Sequence, residues 1–367
     1  MIEDIKYDYW WAGMKRSVPG HTKKIAENAG STRYLYEADR EDLIAIDGIS
    51  EKYADEIIEQ RSRWDIDREY DDFAGRGIRF IPFYSDEYPA RLKGISGHPF
   101  ALFVLGDLPG DDIPSVAIIG ARNCSQYGRL NASRFGADLA GYGVQTVSGM
   151  AYGIDGISQE EALNAGGRSF AVLGCGVNKC YPPSNRNLYE RLKKEGGIIS
   201  EYGLYNEPLA NMFPARNRII SALSDVVLVI EARERSGTMI TVDMALEQGR
   251  DVAIIPGRIS DPLSTGCINL WKQGAYPVTC AEDIMYLLDE NFENKKKTVI
   301  RPRIKLPPDE KVVYRDLEPY AKSIGQITDE VGLELRKVIT ALVELSIKGL
   351  ARETGKGCYV KVKDFLT

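Results

Sequence analysis

Glycine and arginine recur in short loops that each follow an apolar run of the sequence. The first loop ends the run at residues 116–119 and places Gly120 and Arg122 in the segment SVAIIGARNCSQYG. Glycine lets a ligand approach the backbone closely, and an arginine guanidinium matches two phosphate oxygens at once. A helical pattern begins near Gln126, and the start of a helix offers free N–H groups to an anion. The segment therefore predicts an anion site, although it is neither a full G-x-G-x-x-G fingerprint nor a P-loop.

Five later loops repeat this composition of glycines, hydroxyls and arginines. One such loop is uninformative, but six at the same edge of one sheet predict an extended polyanion or nucleotide site. The aromatic residues in or beside these loops suit either packing or stacking against unpaired bases. The five loops cover residues 148–156, 174–183, 200–220, 231–238 and 256–258, and the aromatics are Tyr127, Tyr152, Tyr181, Tyr202 and Phe213.

The elements that must position these loops alternate along residues 113–290. Apolar runs of three to five residues are separated by stretches with helical periodicity, which predicts a doubly wound, mainly parallel α/β sheet of Rossmann type. Ligands of such sheets bind outside the carboxyl ends of the strands, where all six loops are expected. The predicted strands are residues 116–119, 144–147, 170–173, 197–200, 226–230, 252–255 and 276–278.

Two further regions flank the predicted core, which spans residues 76–290. Residues 1–75 are predicted to be helical, and two short helices around I-D-G-I-S resemble a helix-hairpin-helix unit. The acidic surroundings of that turn favour a structural role over phosphate binding. Residues 291–308 read as a linker, and residues 309–367 predict three helices and a hairpin similar to a winged helix. Winged helices bind DNA in some proteins and dock other proteins elsewhere.

Composition excludes several classes of protein. The 367 residues carry a net charge of −6, so a polyanion site has to be a local patch on an acidic molecule. We expect a cytoplasmic protein with reduced thiols, because no transmembrane run, signal peptide or C-x-x-C motif occurs. The two histidines form no catalytic set or metal motif, and no catalytic residue, metal or cofactor is predicted.

Several charged residues in the loops are also candidates for purely structural roles. Arg216 and Arg218 are candidates for ion pairs inside the fold, because buried arginines are normally paired. Glu201 and Glu231 follow strands and are predicted to anchor loops, and Asp155 is predicted to cap a helix. The acids that suit the two arginines are Glu201, Asp225 and Glu231.

The order of motifs carries a family resemblance. The core contains VAIIGAR-x₂-S-x-YG, SGMAYGID, GGRSFAVLGCGV, YPPSN, IISEY, FPARNRIISALSDVVLVIEA, RSGTMIT and ALEQGRDVAIIPG, in that order. This set closely resembles the DNA-processing protein A family, the Smf/DprA proteins of bacterial transformation and recombination. The flanks fit the three-part layout of that family, with a helical N-terminal domain and a winged-helix-like C-terminal domain.

The resemblance implies a non-enzymatic protein that binds single-stranded DNA without sequence specificity. It further implies a homodimer formed through the core and help in loading the RecA recombinase during natural transformation. By their motifs, Arg122, Lys179, Arg216 and Arg218 would hold phosphates and Phe213 would contact a base. Together with the glycine and hydroxyl loops, the predicted DNA-binding set is Gly120, Arg122, Ser125, Ser148, Gly149, Gly153, Lys179, Phe213, Arg216, Asn217, Arg218, Ser236, Gly237 and Thr238.

The chain departs from the family at two points, and a second class of function stays open. No Ala-His pair follows GID, and no basic residue closely precedes FPARNR. We therefore expect one phosphate contact to be weakened, or shared with Arg233, Arg235 and Arg258. The alternative is a nucleotide-processing enzyme like the phosphoribohydrolase and lysine-decarboxylase-like proteins, using Glu201 or Glu231 with Arg216. The PGGxGT-x₂-E signature of that group is replaced here by RSG-x-x-IT.

Overall fold

The computed structural model describes residues 4–14, 21–288 and 306–362. Its N-terminal part is helical, as predicted. Side chains of Ser31, Asp39, Ser50 and Asp65 each accept a hydrogen bond from the N–H three residues on and so begin four of these helices. Gly48, with φ of +98°, turns the chain between two of them. The helices are α1 (Ile5–Gly13), α2 (His21–Ala29), α3 (Thr32–Glu37), α4 (Arg40–Ala45), α5 (Glu51–Ser62) and α6 (Ile66–Ala74).

A nine-stranded sheet forms the centre of the molecule. The strands are β1 (Arg79–Pro82), β2 (Ala101–Gly106), β3 (Ser115–Ile119), β4 (Gln145–Ser148), β5 (Ser169–Val172), β6 (Gly197–Ser200), β7 (Val226–Val229), β8 (Asp251–Ile254) and β9 (Tyr276–Pro277). Their order is β1-β2-β6-β5-β4-β3-β7-β8-β9. The pairs from β6 through to β9 are parallel, whereas β1 and β2 are antiparallel additions at one edge. The predicted doubly wound, mainly parallel sheet is confirmed.

Helices cover the two faces of the sheet, so its central strands are buried along their whole length. That burial explains why these strands read as continuous apolar runs. The chain leaves β3 towards β4, β5 and β6, then crosses back to β7 on the other side of β3. The helices are α7 (Ala90–Lys93), α8 (Gln126–Gly141), α9 (Ile154–Asn164), α10 (Arg186–Glu195), α11 (Met212–Ala222), α12 (Gly237–Glu247), α13 (Thr265–Lys272) and α14 (Ala281–Leu288).

The N-terminal helices share one hydrophobic cluster with the sheet. Trp10 and Trp11 of α1 are each 1% exposed, in a cluster that includes Phe103 of β2 and Ile198 of β6. The Tyr9 ring lies 5.9 Å from the Phe103 ring. The N-terminal helices are therefore packed into the core rather than attached by a tether.

The C-terminal part has a hydrophobic cluster of its own, built around Val313, Ile327 and Leu342. It contains α15 (Pro308–Asp316), β10 (Lys322–Ser323), α16 (Ile324–Val331), α17 (Leu335–Ile347), β11 (Ala351–Gly355) and β12 (Cys358–Lys361). The predicted three helices and hairpin are present, β10 is an addition, and the winged-helix interpretation stays a prediction. The Gln126 side chain at the start of α8 donates a hydrogen bond to the Lys361 carbonyl at 2.7 Å. Most of the predicted linker lies outside the described residues.

None of the helices in the described ranges is long and apolar enough to cross a membrane.

Candidate nucleic-acid interface

A cavity of about 780 Å³ opens at the carboxyl edge of the sheet, beside the loops that follow β3 and β7. This is the switch point, since β3 pairs with β4 on one side and with β7 on the other. Ligands of open α/β sheets bind at such points. The cavity brings together eight residues of the predicted set: Gly120, Arg122, Phe213, Arg216, Asn217, Ser236, Gly237 and Thr238.

Arg122 supplies an exposed positive charge at the mouth of this cavity. It forms no ion pair with any other residue in the described ranges. Its guanidinium carbon lies 6.0 Å from the centre of the Phe213 ring. The Phe213 ring is in turn 5.2 Å from the Tyr181 ring, at an interplanar angle of 33°. The arrangement places the Arg122 cation beside a pair of aromatic rings, which suits binding of a phosphate next to an unpaired base.

The start of α12 forms the opposite wall of the cavity. Its N-cap residue, Ser236, makes no side-chain cap, and its hydroxyl donates to the Arg233 carbonyl at 3.0 Å. No cap side chain therefore occupies the first-turn N–H groups, and the positive end of the helix dipole faces the cavity. Arg233 also lines the cavity and is exposed, which adds a second exposed cation to the cavity.

Arg216 forms part of the cavity lining but is only 4% exposed. One of its guanidinium nitrogens donates to the Gly149 carbonyl at 3.2 Å. Burial lowers the pKa of Arg216 to about 10, and the neighbouring Asp155 carboxylate opposes that shift. Burial likewise raises the pKa of Asp155, and the positive charge of Arg216 is the largest of the effects that lower it. The Asp155 carboxylate accepts from the Gly149 N–H at 3.1 Å, so it fastens the preceding loop instead of capping α9 as predicted.

The other two predicted phosphate ligands are engaged elsewhere. Two nitrogens of Arg218 donate to the two Glu201 carboxylate oxygens at 2.7 and 2.6 Å, and a third donates to the Gly97 carbonyl. Burial disfavours the charge on Arg218, but Glu201 outweighs it and the pKa of Arg218 is raised. Lys179 lies 2.5 Å from a Glu207 oxygen. Neither cation lines the switch-point cavity.

Four residues of the predicted set shape loops. Ser125 caps α8, and both its hydroxyl and its N–H donate to the Glu231 carboxylate. Ser148 is buried and donates to the Ile118 carbonyl at 2.7 Å. Gly149 is held by Asp155 and Arg216, and Gly153 begins α9 with φ of +75°. The predicted loop-anchoring role of Glu231 is confirmed.

A second cavity, of about 610 Å³, meets the first at Arg122. The two cavities share Arg122, Asn123 and Ala151, and the second adds Arg129 and the half-exposed Tyr152. The sequence prediction omitted Asn123, Arg129 and Tyr181 from its set. They lie in or beside the predicted loops, but composition alone does not distinguish a lining side chain from its neighbours.

Substitution of Gly120 tests how tightly the first loop is built. A Cβ atom at Gly120 would lie 2.7 Å from Ile154 Cγ1 and 2.9 Å from the Glu231 carbonyl. We expect Gly120→Ala to cost about 1–3 kcal/mol, because either α9 or the end of β7 must shift. Thermal unfolding measures this loss, and Gly94→Ala, where nothing lies within 4 Å, is the matched control. Equal melting temperatures for the two variants would contradict the close packing.

The doubly wound sheet, with an arginine- and glycine-lined cleft at its switch point, defines a Rossmann-like α/β protein. Residues 79–289 match the family model of DNA recombination-mediator protein A. The chain belongs to this family.

Relatives support the assignment across most of the chain. Protein Smf of Escherichia coli is 38% identical over 291 residues, which is 77% of each chain. The DNA processing protein DprA of Bacillus subtilis is 39% identical over 216 residues, covering 59% of this chain and 73% of the relative.

Two solved structures are similar to this chain. DprA from Streptococcus pneumoniae aligns with a TM-score of 0.64 and 33% identity, over 77% of this chain and 95% of the other. DprA from Helicobacter pylori aligns with a TM-score of 0.53 and 28% identity, over 58% and 96%. The work on the Helicobacter protein describes a single-stranded DNA binding mode. Within the described residues, no group of three or more His, Cys, Asp or Glu side chains is placed to hold a metal.

Proposed function

We propose that the chain binds single-stranded DNA at the switch-point cavity, without sequence preference. The observation that carries the proposal is the exposed Arg122 beside the Phe213–Tyr181 pair, at the mouth of the cavity. The start of α12, which has no side-chain cap, forms the opposite wall. The Helicobacter relative, described as a single-stranded DNA binder, supports it.

In the proposed mode, the backbone of the strand is held by charge and the bases by stacking. Arg122 and the first-turn N–H groups of α12 hold phosphates, and Arg233 adds the contact that the family places before FPARNR. The buried Arg216 attracts the strand as a fixed positive charge in the cavity lining, and it also holds the loop at Gly149. Bases stack on the rings of Phe213 and Tyr181. This stacking has no sequence preference, because every base has a π-face. Arg218 and Lys179 contribute through the loops that their ion pairs fix.

The direct test is a titration of fluorescent oligonucleotides of mixed sequence at several salt concentrations. Binding should weaken with salt at a slope of roughly −0.7 in log–log units for each phosphate held. Absence of binding at low salt would overturn the proposal.

Phe213 tests the stacking part of the mode separately. We expect Phe213→Leu to weaken binding by roughly 5- to 150-fold, because stacking on an aromatic contributes about 1–3 kcal/mol per base. The salt slope should stay unchanged, since the substitution removes no charge, and Phe213→Trp should keep most of the affinity. Tyr34→Leu, at a 42% exposed tyrosine on α3, is the matched control. A changed slope with unchanged affinity would contradict the stacking role.

We further propose that the cavity holds DNA without cutting or hydrolysing it. The carboxylates required by the alternative, a nucleotide-processing enzyme, are already engaged: Glu231 with Ser125, and Glu201 with Arg218. Incubation with nucleoside monophosphates checks this by release of free base. Turnover that Glu231→Gln abolishes would favour the enzyme.

Two partners complete the proposal, a second copy of the core and the RecA recombinase. A core dimer formed at the β9 edge of the sheet would bury exposed apolar side chains of β9 and of two helices that contact its neighbour β8: Tyr276 of β9, Leu246 of α12 and Trp271 of α13. The family's role as a recombination mediator supports RecA loading in natural transformation. Trp271→Glu should lower the mass of the protein in light scattering if the core dimer forms there. Co-sedimentation with RecA on single-stranded DNA measures binding of the second partner.

A further inference from the structure

Helix α17 in the C-terminal part carries an apolar row on its outer surface. Leu335, Ile339, Val343 and Ile347 are 53%, 41%, 47% and 75% exposed. Their spacing of four residues places them side by side along one face of the helix. The inner face of the same helix is also apolar and is buried in the local core: Val338, Ala341, Leu342 and Leu345.

This outer face is unsuited to reading DNA. A helix that enters the major groove presents donors and acceptors to the base edges, and its flanks contact phosphates. Four aliphatic side chains offer neither, apart from contact with a thymine methyl group. Single exposed apolar residues are common on protein surfaces, but a contiguous row of this kind marks an interaction surface.

We propose that the row is a docking surface for helix α17 of a second copy of this chain, in antiparallel orientation. The row has the symmetry that such a pair requires, since its midpoint lies between Ile339 and Val343. A two-fold axis through that midpoint places Leu335 opposite Ile347, and Ile339 opposite Val343. Rows of four-residue spacing interlock well when two helices cross at about −50°.

Charges beside the row favour this partner and this direction. Arg336 and Glu344 are both exposed and line the same shallow groove on one flank of the row. Neither forms an ion pair with another residue in the described ranges. In an antiparallel pair, Arg336 of each copy comes beside Glu344 of the other, which makes two attractive contacts. A parallel pair would set like charges together.

This surface is separate from the apolar group near β9, so the inference goes beyond the proposed core dimer and does not depend on DNA binding. If both interfaces form, each chain contacts two others, and the assembly is larger than a dimer.

The test is the mass of the full chain in sedimentation equilibrium over a range of concentrations. We expect Ile339→Asp to halve the mass of the largest species. Arg336→Glu alone and Glu344→Arg alone should each weaken association by about tenfold or more, since two attractive contacts become repulsive. The double variant should restore it. Lys356→Glu, an equal charge reversal in the turn between β11 and β12 and outside this groove, should leave the association constant unchanged.

Other outcomes overturn the inference. Equal masses for the wild type and Ile339→Asp at every concentration would exclude a second copy on this face. Failure of the double charge swap to restore association would assign the face to a different partner. Loss of duplex binding in Ile339→Asp without a change in mass would assign it to DNA. If Ile339→Asp unfolds in thermal denaturation, the charge variants, which alter only exposed side chains, decide the question.

Discussion

Replacement of Arg122 by alanine is expected to weaken binding of mixed-sequence single-stranded DNA by about 10- to 150-fold. A hydrogen bond to a charged group contributes about 1.5–3 kcal/mol, and this guanidinium stands where the two cavities meet. The salt dependence should also become shallower by roughly 0.7 in log–log slope for each phosphate that the variant no longer binds. Fluorescence anisotropy at several salt concentrations measures both quantities.

Two variants make the Arg122 result specific. Arg122→Lys keeps the charge but not the two-pronged geometry, so it should retain the slope and lose part of the affinity. Arg63→Ala removes the same net charge from a surface pair with Glu59, and its side chain is 76% exposed. It should bind like the wild type. An Arg122→Ala protein that is folded and keeps the wild-type slope would remove Arg122 from the site.

Replacement of Arg218 by methionine is expected to affect folding far more than DNA binding. The ion pair with Glu201 is buried, with side chains 12% and 8% exposed. Removal of one partner from a buried pair costs about 3–5 kcal/mol, because the remaining charge is left without compensation. In a protein of this size, the melting temperature of the Arg218→Met variant should fall by several degrees, and calorimetry measures this change.

The second partner and a surface pair provide the controls. Arg218→Met combined with Glu201→Leu should recover much of the stability, since a buried ion pair replaced by apolar groups is often neutral. Arg63→Met, at the surface, should cost less than about 1 kcal/mol. A stable Arg218→Met protein with a shallower salt slope would show instead that Arg218 holds a phosphate, as the family resemblance implies.

The strands of the core are predictable from the sequence because burial on both faces leaves a continuous apolar run. The predicted bounds of strand β6 are those it has, and β3 differs by one residue. Within the predicted helical region of residues 1–75, the sequence pattern does not locate helices α3 and α6 individually, although Ser31 and Asp65 stand at their starts as capping residues. Strand β10 has two residues and exists through its pairing with β12, so no local pattern indicates it.

Side-chain roles are less predictable, since they depend on which residues the fold brings together. The sequence leaves three acids open as partners of Arg216 and Arg218. The structure separates the two arginines, because residues two apart on a helix point in nearly opposite directions. Arg216 therefore faces the cavity, while Arg218 faces Glu201 at the end of β6. Helical geometry alone predicts that the two differ, but not which acid Arg218 meets.

The hydrophobic cluster that the N-terminal helices share with the sheet has a consequence for synthesis on the ribosome. Trp10 and Trp11 are made early, whereas Ile198 and Leu204 of the same cluster follow almost 200 residues later. At bacterial elongation rates that delay is roughly 10–40 s. The first helices to emerge are therefore among the last to complete their packing, and in nascent chains shorter than about 200 residues the side of α1 that packs on the sheet stays open to chaperones and proteases.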